Sequence, residues 1–244
     1  MKSGGFPAYI SHYSSQLLKL LFPPACPLCS STFPYGYLEL LCPTCQAGVV
    51  SLPSAHCTLC ALPFTGHQNS SHLCGRCIKE RPEYTKVFAV GLYEKSLRLA
   101  IHQFKFNQRI GFDRLLGVFL DHAVDSELKI DIVVPVPLSP LRLRQRGYNQ
   151  SLLLAREFSR LRNLSVKDKL LCKIRETKEQ HGLSARERET NLKDAFALQQ
   201  NLSGETVLLI DDVLTTGKTV ATCAQILKQG GAGEIYVAVI ARAA

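Results

Sequence analysis

The 244-residue sequence has no tryptophan, only one methionine and no unbroken run of about 18 apolar residues. The missing apolar run excludes a protein built on membrane-spanning helices, and the composition also excludes a collagen-like chain and a coiled coil. Apolar residues make up 46% of the chain and charged residues 20%. This balance supports a packed core and argues against wholesale disorder. The length fits one large domain, or an ordinary domain with a small one.

The first 22 residues lack the features of a secretory signal. Their apolar part is interrupted by polar side chains such as Ser11, His12 and Lys19, and no small-residue cleavage site follows. We predict a short amphipathic helix over residues 1–23, ending at Pro23-Pro24. Without an export signal the expected location is the cytoplasm, where cysteines stay reduced and disulfides are disfavoured.

The formal net charge of +9 is unevenly distributed. Residues 131–204 carry 14 basic and 8 acidic side chains, whereas residues 205–244 carry 3 and 4. A basic excess is typical of proteins that bind nucleic acid or phosphate-rich ligands. An ordinary solvated surface explains it equally well, so charge alone does not decide the partner.

Cysteine is concentrated near the start of the chain, where eight of the ten form four Cys-x-x-Cys pairs. The pairs are Cys26/Cys29, Cys42/Cys45, Cys57/Cys60 and Cys74/Cys77. Two residues between cysteines let both sulfurs of one turn face the same ion, and a second such turn completes a thiolate tetrahedron. We therefore predict a double zinc ribbon over residues 24–80 with two structural zinc ions.

The spacing leaves the pairing of these turns open. The simplest grouping is sequential, the first pair with the second and the third with the fourth, but an interleaved grouping fits the spacing as well. Disulfides would need an oxidising compartment, and iron–sulfur ligation suits such wide, regular gaps less well than zinc does. Cys172 and Cys223 lie in apolar stretches and are interpreted as buried small residues.

A second module, residues 85–244, alternates strand and helix patterns. Strands are predicted at 87–93, 129–137, 170–175, 195–198, 206–210 and 235–241, and helices at 96–107, 111–124, 149–161 and 218–229. Such alternation predicts an α/β domain with a parallel sheet and helices on both faces. Ligands of these sheets bind beyond the carboxyl ends of the strands.

The segment VLLIDDVLTTGKT, residues 207–219, is suited to such a position. Four apolar residues form a strand, Asp211 and Asp212 follow, and 213–217 is predicted as a loop opening onto a helix. Backbone N–H groups at the helix start and the threonine hydroxyls can surround a phosphate. The two carboxylates suit the vicinal hydroxyls of a sugar, or Mg²⁺.

Two other nucleotide motifs are excluded here. The Gly-Lys-Thr at 217–219 is typical of a P-loop, but that motif needs glycine where this chain has Asp212. No G-x-G-x-x-G follows a strand either, which argues against a dinucleotide site. A plain strand–helix turn would require neither a second aspartate nor the threonine cluster.

VLLIDDVLTTGKT resembles the phosphoribosyl pyrophosphate (PRPP) signature of type I phosphoribosyltransferases. The resemblance implies that Asp211 and Asp212 hold the ribose hydroxyls as the catalytic acidic pair, with Mg²⁺ accompanying PRPP. The implied PRPP-binding set continues through the following loop. Its members are Asp211, Asp212, Val213, Leu214, Thr215, Thr216, Gly217, Lys218 and Thr219.

Together with the cysteine pairs, the stretches VVPVPLSPLRLRQRGYNQSLLLAREF and QHGLSARERETN resemble the ComF family of competence-associated proteins over residues 20–241. The family resemblance implies a role in the uptake or handling of single-stranded DNA, with a competence helicase as a further partner. In related transferases the loop matching Pro137–Gln150 receives pyrophosphate, which implicates Arg146 and Gly147. Lys105 is a further candidate for the same phosphates.

The charged stretch Glu176–Asn191 resembles the mobile hood of the transferases, which closes over substrate. His181 within it is interpreted as a solvated side chain rather than a base. Two hypotheses follow. One is an enzyme that transfers a phosphoribosyl group to an unidentified base or small acceptor and has no role in DNA. The other is a protein that binds PRPP or a similar phosphorylated sugar and handles DNA.

Overall fold

The computed structural model describes residues 25–32, 41–64, 70–106, 111–175 and 195–244. The chain divides into two compact units, Met1–Gly48 and Val49–Ala244. This division falls between the second and the third Cys-x-x-Cys pair. The predicted helix over 1–23 and the predicted hood at Glu176–Asn191, with His181, lie outside the described residues.

Regular structure in the described residues follows the predicted alternation. The helices are α1 (Pro43–Ala47), α2 (Gly75–Lys79), α3 (Lys95–Phe106), α4 (Phe112–Ala123), α5 (Pro140–Arg146), α6 (Gln150–Arg162) and α7 (Lys218–Gln229). The strands are β1 (Lys86–Leu92), β2 (Ile132–Pro135), β3 (Ser165–Val166), β4 (Leu171–Lys173), β5 (Phe196–Leu198), β6 (Val207–Leu214) and β7 (Ile235–Arg242). Among these helices none is long and apolar enough to cross a membrane.

Five strands form one sheet in the order β1-β7-β6-β2-β3, and every neighbouring pair is parallel. This confirms the predicted α/β class. The inner strands β6 and β7 are almost continuous apolar runs because both of their faces are covered. Strands β4 and β5 pair antiparallel in a separate two-stranded sheet.

The two faces of the sheet pack against different partners. Val207 and Leu209 of β6 join one buried cluster with α7 and with the third and fourth cysteine pairs. Leu208 and Ile210 alternate with them and are fully buried as well. Helix α6 packs against β2 and β6 with Leu154 and Phe158 inaccessible to solvent. A ribbon that looked separate in sequence is therefore part of the core of the sheet.

Two local predictions need correction, and one short strand was not predicted. The predicted loop Pro137–Gln150 contains the helix α5, which starts at Pro140 with Ser139 as its cap. The short strand β3 had no sequence signal, because two residues are too few for a period. Strand β6 runs to Leu214 instead of ending at Ile210, since its pairing with β7 continues past the acidic residues. Val213 and Leu214 are thus strand residues, and the loop is Thr215–Gly217.

Candidate functional site

Asp211 lies in the carboxyl-terminal half of β6, half-buried and close to the start of α6. Its Oδ1 accepts a hydrogen bond from Ser151 Oγ at 2.9 Å and another from the Asp212 N–H at 2.9 Å. Burial, together with the neighbouring Asp212 charge, raises the pKa of Asp211 to about 7. Ser151 carried no signal in the sequence, because only the packing of α6 brings it to this carboxylate.

Asp212 is buried and forms an ion pair with a lysine. Its Oδ2 lies 2.8 Å from Lys105 Nζ, and the two side chains are 11% and 19% exposed. Lys105 is in the last turn of α3, so the structure does bring this predicted residue to the acidic pair. Its contact here is with a carboxylate, and the suggested contact with pyrophosphate stays a prediction.

The turn after β6 has the geometry of an anion site. Thr215 and Thr216 are exposed, and Gly217 has a φ of 75°, a left-handed conformation that glycine adopts without strain. Helix α7 begins at Lys218, whose N–H donates to Thr216 Oγ1 at 3.5 Å, and the N–H groups of its first turn lie directly after the loop. An acidic pair at the end of a strand, with such a turn two residues later, can hold a sugar by its hydroxyls and its phosphate.

The loop that was predicted to bind pyrophosphate is held at several points. Gly147 ends α5 with a φ of 79°, and its N–H donates to the Leu143 carbonyl. Arg146 Nη1 donates to Gln150 Oε1 at 3.2 Å. The Tyr148 hydroxyl donates to the Phe104 carbonyl in the last turn of α3, next to Lys105. Gly147 is therefore a helix cap, and the loop and Lys105 lie at the same edge of the sheet.

The eight paired cysteines form two clusters of four. The sulfur atoms lie within 4.8 Å of one another in each set, and the sets follow the sequential grouping: Cys26, Cys29, Cys42 and Cys45, then Cys57, Cys60, Cys74 and Cys77. In the second cluster the Cys74 N–H points at the Cys57 sulfur, 3.3 Å away, which favours a thiolate there. Four converging sulfurs suit a closed tetrahedral zinc site.

Comparison with known proteins agrees with both modules. The double zinc ribbon domain family matches residues 17–78, and the phosphoribosyl transferase domain family matches residues 147–244. Competence protein F of Haemophilus influenzae is 35% identical over 212 residues, covering 83% of this chain and 90% of the relative. The chain belongs to the ComF family. The resemblance inferred from the cysteine pairs and from residues 207–219 is thereby confirmed.

Further relatives of this ComF-family chain carry names that refer to DNA utilization or to competence. The DNA utilization protein YhgH of Escherichia coli (strain K12) is 36% identical, over 89% of this chain and 96% of the relative. Competence protein ComFC of Bacillus subtilis (strain 168) is 24% identical, over 79% and 80% of the two chains. Among solved structures, adenine phosphoribosyltransferase from Saccharomyces cerevisiae is similar with a TM-score of 0.32 and 16% identity, over 60% and 68%.

Proposed function

We propose that this ComF-family protein binds PRPP together with Mg²⁺ at the carboxyl edge of its parallel sheet. The observation that carries the proposal is the arrangement of Asp211 and Asp212. They lie near the end of a buried strand, and two residues, Val213 and Leu214, separate them from the turn Thr215–Gly217 that leads into α7. Carboxylates accept from ribose hydroxyls, and the turn with the helix start offers N–H donors to a 5′-phosphate.

The residues present also fit Mg²⁺. This ion is typically held by one or two carboxylates and by oxygens of a phosphorylated substrate, with water completing the octahedron. Asp211 and Asp212 would supply the carboxylates and PRPP the phosphate oxygens. Lys105, which neutralises Asp212 in the structure, provides a cation at the same edge. Mg²⁺ would supply charge neutralisation of the pyrophosphate.

Calorimetric titration with PRPP and Mg²⁺ tests the proposal. We expect binding by the intact chain and a loss of about 100-fold or more in the variant Asp211→Asn with Asp212→Asn, since hydrogen bonds to charged groups contribute about 1.5–3 kcal/mol each. Asp168→Asn is the control, because the contact of Asp168 in the described part of the chain is an exposed ion pair with Arg156. No binding by the intact chain, or equal binding by the double variant, would contradict the proposal.

The same protein and ligands can also be used to test whether the phosphoribosyl group is transferred to an acceptor. In phosphoribosyl transfer a nucleophile attacks ribose C1 as the bond from C1 to pyrophosphate breaks, and the leaving group takes the electron pair. Positioning and charge neutralisation are the main requirements, and no covalent intermediate on the protein is needed. Pyrophosphate release with a base, a nucleoside or DNA as acceptor would show that the protein is an enzyme. Tight binding without release would support a binding protein.

A role in handling single-stranded DNA is the second part of the proposal. It is supported by the names of relatives, which refer to competence and to DNA utilization. It is also supported by α5, where Leu141, Arg142, Leu143 and Arg144 are all exposed. Arginines track a phosphate backbone, while apolar side chains contact unstacked bases.

The salt dependence of binding to an oligonucleotide tests this part. We expect the affinity to fall steeply with salt, and the slope of log K against log salt to decrease by about 1.4 in Arg142→Gln with Arg144→Gln, because each lost phosphate contact on a single strand contributes about 0.7. Arg98→Gln with Arg156→Gln removes the same charge elsewhere and is the control. A flat salt response, or equal slopes in both double variants, would count against a DNA-binding face on α5.

A further inference from the structure

Arg242, the last residue of β7, is a buried cation without a carboxylate partner among the described residues. It is 1% exposed. Its Nε donates to the Cys60 carbonyl at 3.0 Å, and its Nη1 donates to the carbonyls of Leu214 at 2.9 Å and Thr215 at 2.7 Å. One guanidinium thus joins the Cys57–Cys60 turn of the second cysteine cluster to the beginning of the phosphate loop.

A second arginine makes a similar link from the other turn of this cluster, Cys74–Cys77. Arg76 lies between Cys74 and Cys77, and its Nη1 donates to the Thr216 carbonyl. The carbonyls of three consecutive residues, Leu214–Thr216, are therefore all bound by arginines that belong to the ribbon or contact it. Neither arginine was singled out by sequence, because both contacts join segments more than 25 residues apart.

The contacts with the arginines also determine where the N–H groups of the loop point. In a trans peptide unit the C=O and the N–H point in opposite directions. Because the Thr215 and Thr216 carbonyls face the arginines, the N–H groups of Thr216 and Gly217 face away from them. Fixed N–H groups of successive residues form the kind of concavity that binds a phosphate. The arginines hold the loop in the orientation that presents these donors.

Charge compensation connects the arginines to zinc. Four thiolates around Zn²⁺ leave two negative charges, and Arg76 and Arg242 carry two positive ones. Removing a guanidinium from water without a counter-charge costs several kcal/mol. The filled second cluster offers that counter-charge close to the Cys60 carbonyl that Arg242 binds.

We propose that Arg242 and Arg76 are positioning residues through which the zinc-filled second cysteine cluster sets the conformation of the phosphate loop Thr215–Gly217. The ligand class affected is a phosphate monoester such as the 5′-phosphate of PRPP, and in this respect the inference rests on the proposed function. Coupling between two binding sites is reciprocal. A phosphate ligand bound at the loop therefore stabilises zinc in the second cluster.

Amide hydrogen exchange on the full zinc-loaded chain tests the positioning without any ligand. We expect Arg242→Met to increase exchange about tenfold or more at the amides of residues 215–219, with a smaller increase in Arg76→Met and partial rescue in Arg242→Lys. Arg162→Met is the matched control. Arg162 also binds carbonyls, those of Val124 and Asp125, and additionally pairs with Asp121, so its loss destabilises the domain through different contacts.

Several outcomes would overturn the proposal. Unchanged exchange at 215–219 in Arg242→Met, or the same increase in Arg162→Met, would show that the arginine only stabilises the fold. If Arg242→Met does not fold, Arg76→Met decides, because its side chain is exposed and its loss leaves the core intact. Loop exchange equal to wild type in that variant would then reject the proposal.

Ligand measurements separate this proposal from the proposed function. With wild type we expect saturating PRPP and Mg²⁺ to slow the removal of one zinc ion per chain by a chelator severalfold, and Arg76→Met to abolish the effect. Absence of PRPP binding by wild type would reject the proposed function, while the exchange result would still decide the positioning. PRPP binding of equal strength in wild type, Arg76→Met and Arg242→Lys, with no slowing of zinc removal, would reject the coupling alone.

Discussion

Replacing Cys74 and Cys77 by serine is expected to unfold the whole unit Val49–Ala244, and not only its ribbon. All four cysteines of the second cluster are buried in one core with β6, β7 and α7. Structural zinc contributes on the order of 10–16 kcal/mol in comparable peptides. A domain of this size is stable by about 5–15 kcal/mol in total. In the variant the two remaining thiols and the two serine hydroxyls stay buried without an ion. The free energy lost with zinc therefore exceeds the available stability.

Thermal unfolding followed by circular dichroism, together with zinc content, checks this expectation. The intact chain should contain about two zinc ions, one for each cysteine cluster. The matched variant, Cys26→Ser with Cys29→Ser, alters the cluster in the other compact unit. It should lose one zinc ion and keep the cooperative transition of Val49–Ala244. A wild-type transition in the Cys74/Cys77 variant would show that the stability of this unit does not depend on zinc in the second cluster.

The sequence predicts the zinc ligands of the second ribbon but not the packing of that ribbon on the sheet. Spacing predicts two sites of four cysteines but leaves their grouping open, and the structure has the sequential grouping. Spacing does not indicate what the filled site packs against. The contacts of Leu59 and Tyr84 with the sheet core depend on the tertiary arrangement, and no local period of the ribbon encodes them.

The candidate site likewise has one part that the sequence predicts and another part that only the tertiary fold brings together. Asp211, Asp212 and the turn before α7 form one continuous stretch, so the pattern of a strand followed by acidic residues, Thr-Thr-Gly and a helix predicts them. Ser151 and Lys105 reach the same carboxylates from two other helices. Lys105 was singled out only as a phosphate contact, and Ser151 was missed. Residues brought together by topology, rather than by spacing, are visible only in the structure.

The affinity for PRPP and Mg²⁺ is expected to rise with pH through neutrality. Burial, reinforced by the Asp212 charge, raises the pKa of Asp211 from 3.8 to about 7. A ribose hydroxyl or Mg²⁺ requires the carboxylate, so a protonated Asp211 must lose its proton on binding. With a pKa of about 7, affinity at about pH 5.5 should be about 30-fold lower than at about pH 8.5.

The stability of the ligand-free chain should change with pH in the opposite sense. Because the pKa of Asp211 is raised in the folded state, its contribution to stability is fully present below the unfolded value of 3.8. That contribution is lost as the pH rises through about 7. The charged form of Asp211 thus lowers the stability of the folded chain. A bound cation or pair of hydroxyl groups offsets that free-energy penalty.

Calorimetry in buffers of different ionisation enthalpy separates this effect from titration of the ligand, whose own phosphate has a second pKa of about 6. In Asp211→Asn only the ligand contribution should remain, and proton release near neutrality should disappear. Asp212→Asn should retain proton release but shift it to lower pH, because the like charge is the second cause of the raised pKa and burial is the first. If the pH profile of Asp211→Asn matches that of the wild type, the proton belongs to another group, and Asp211 does not bind the ligand as a carboxylate.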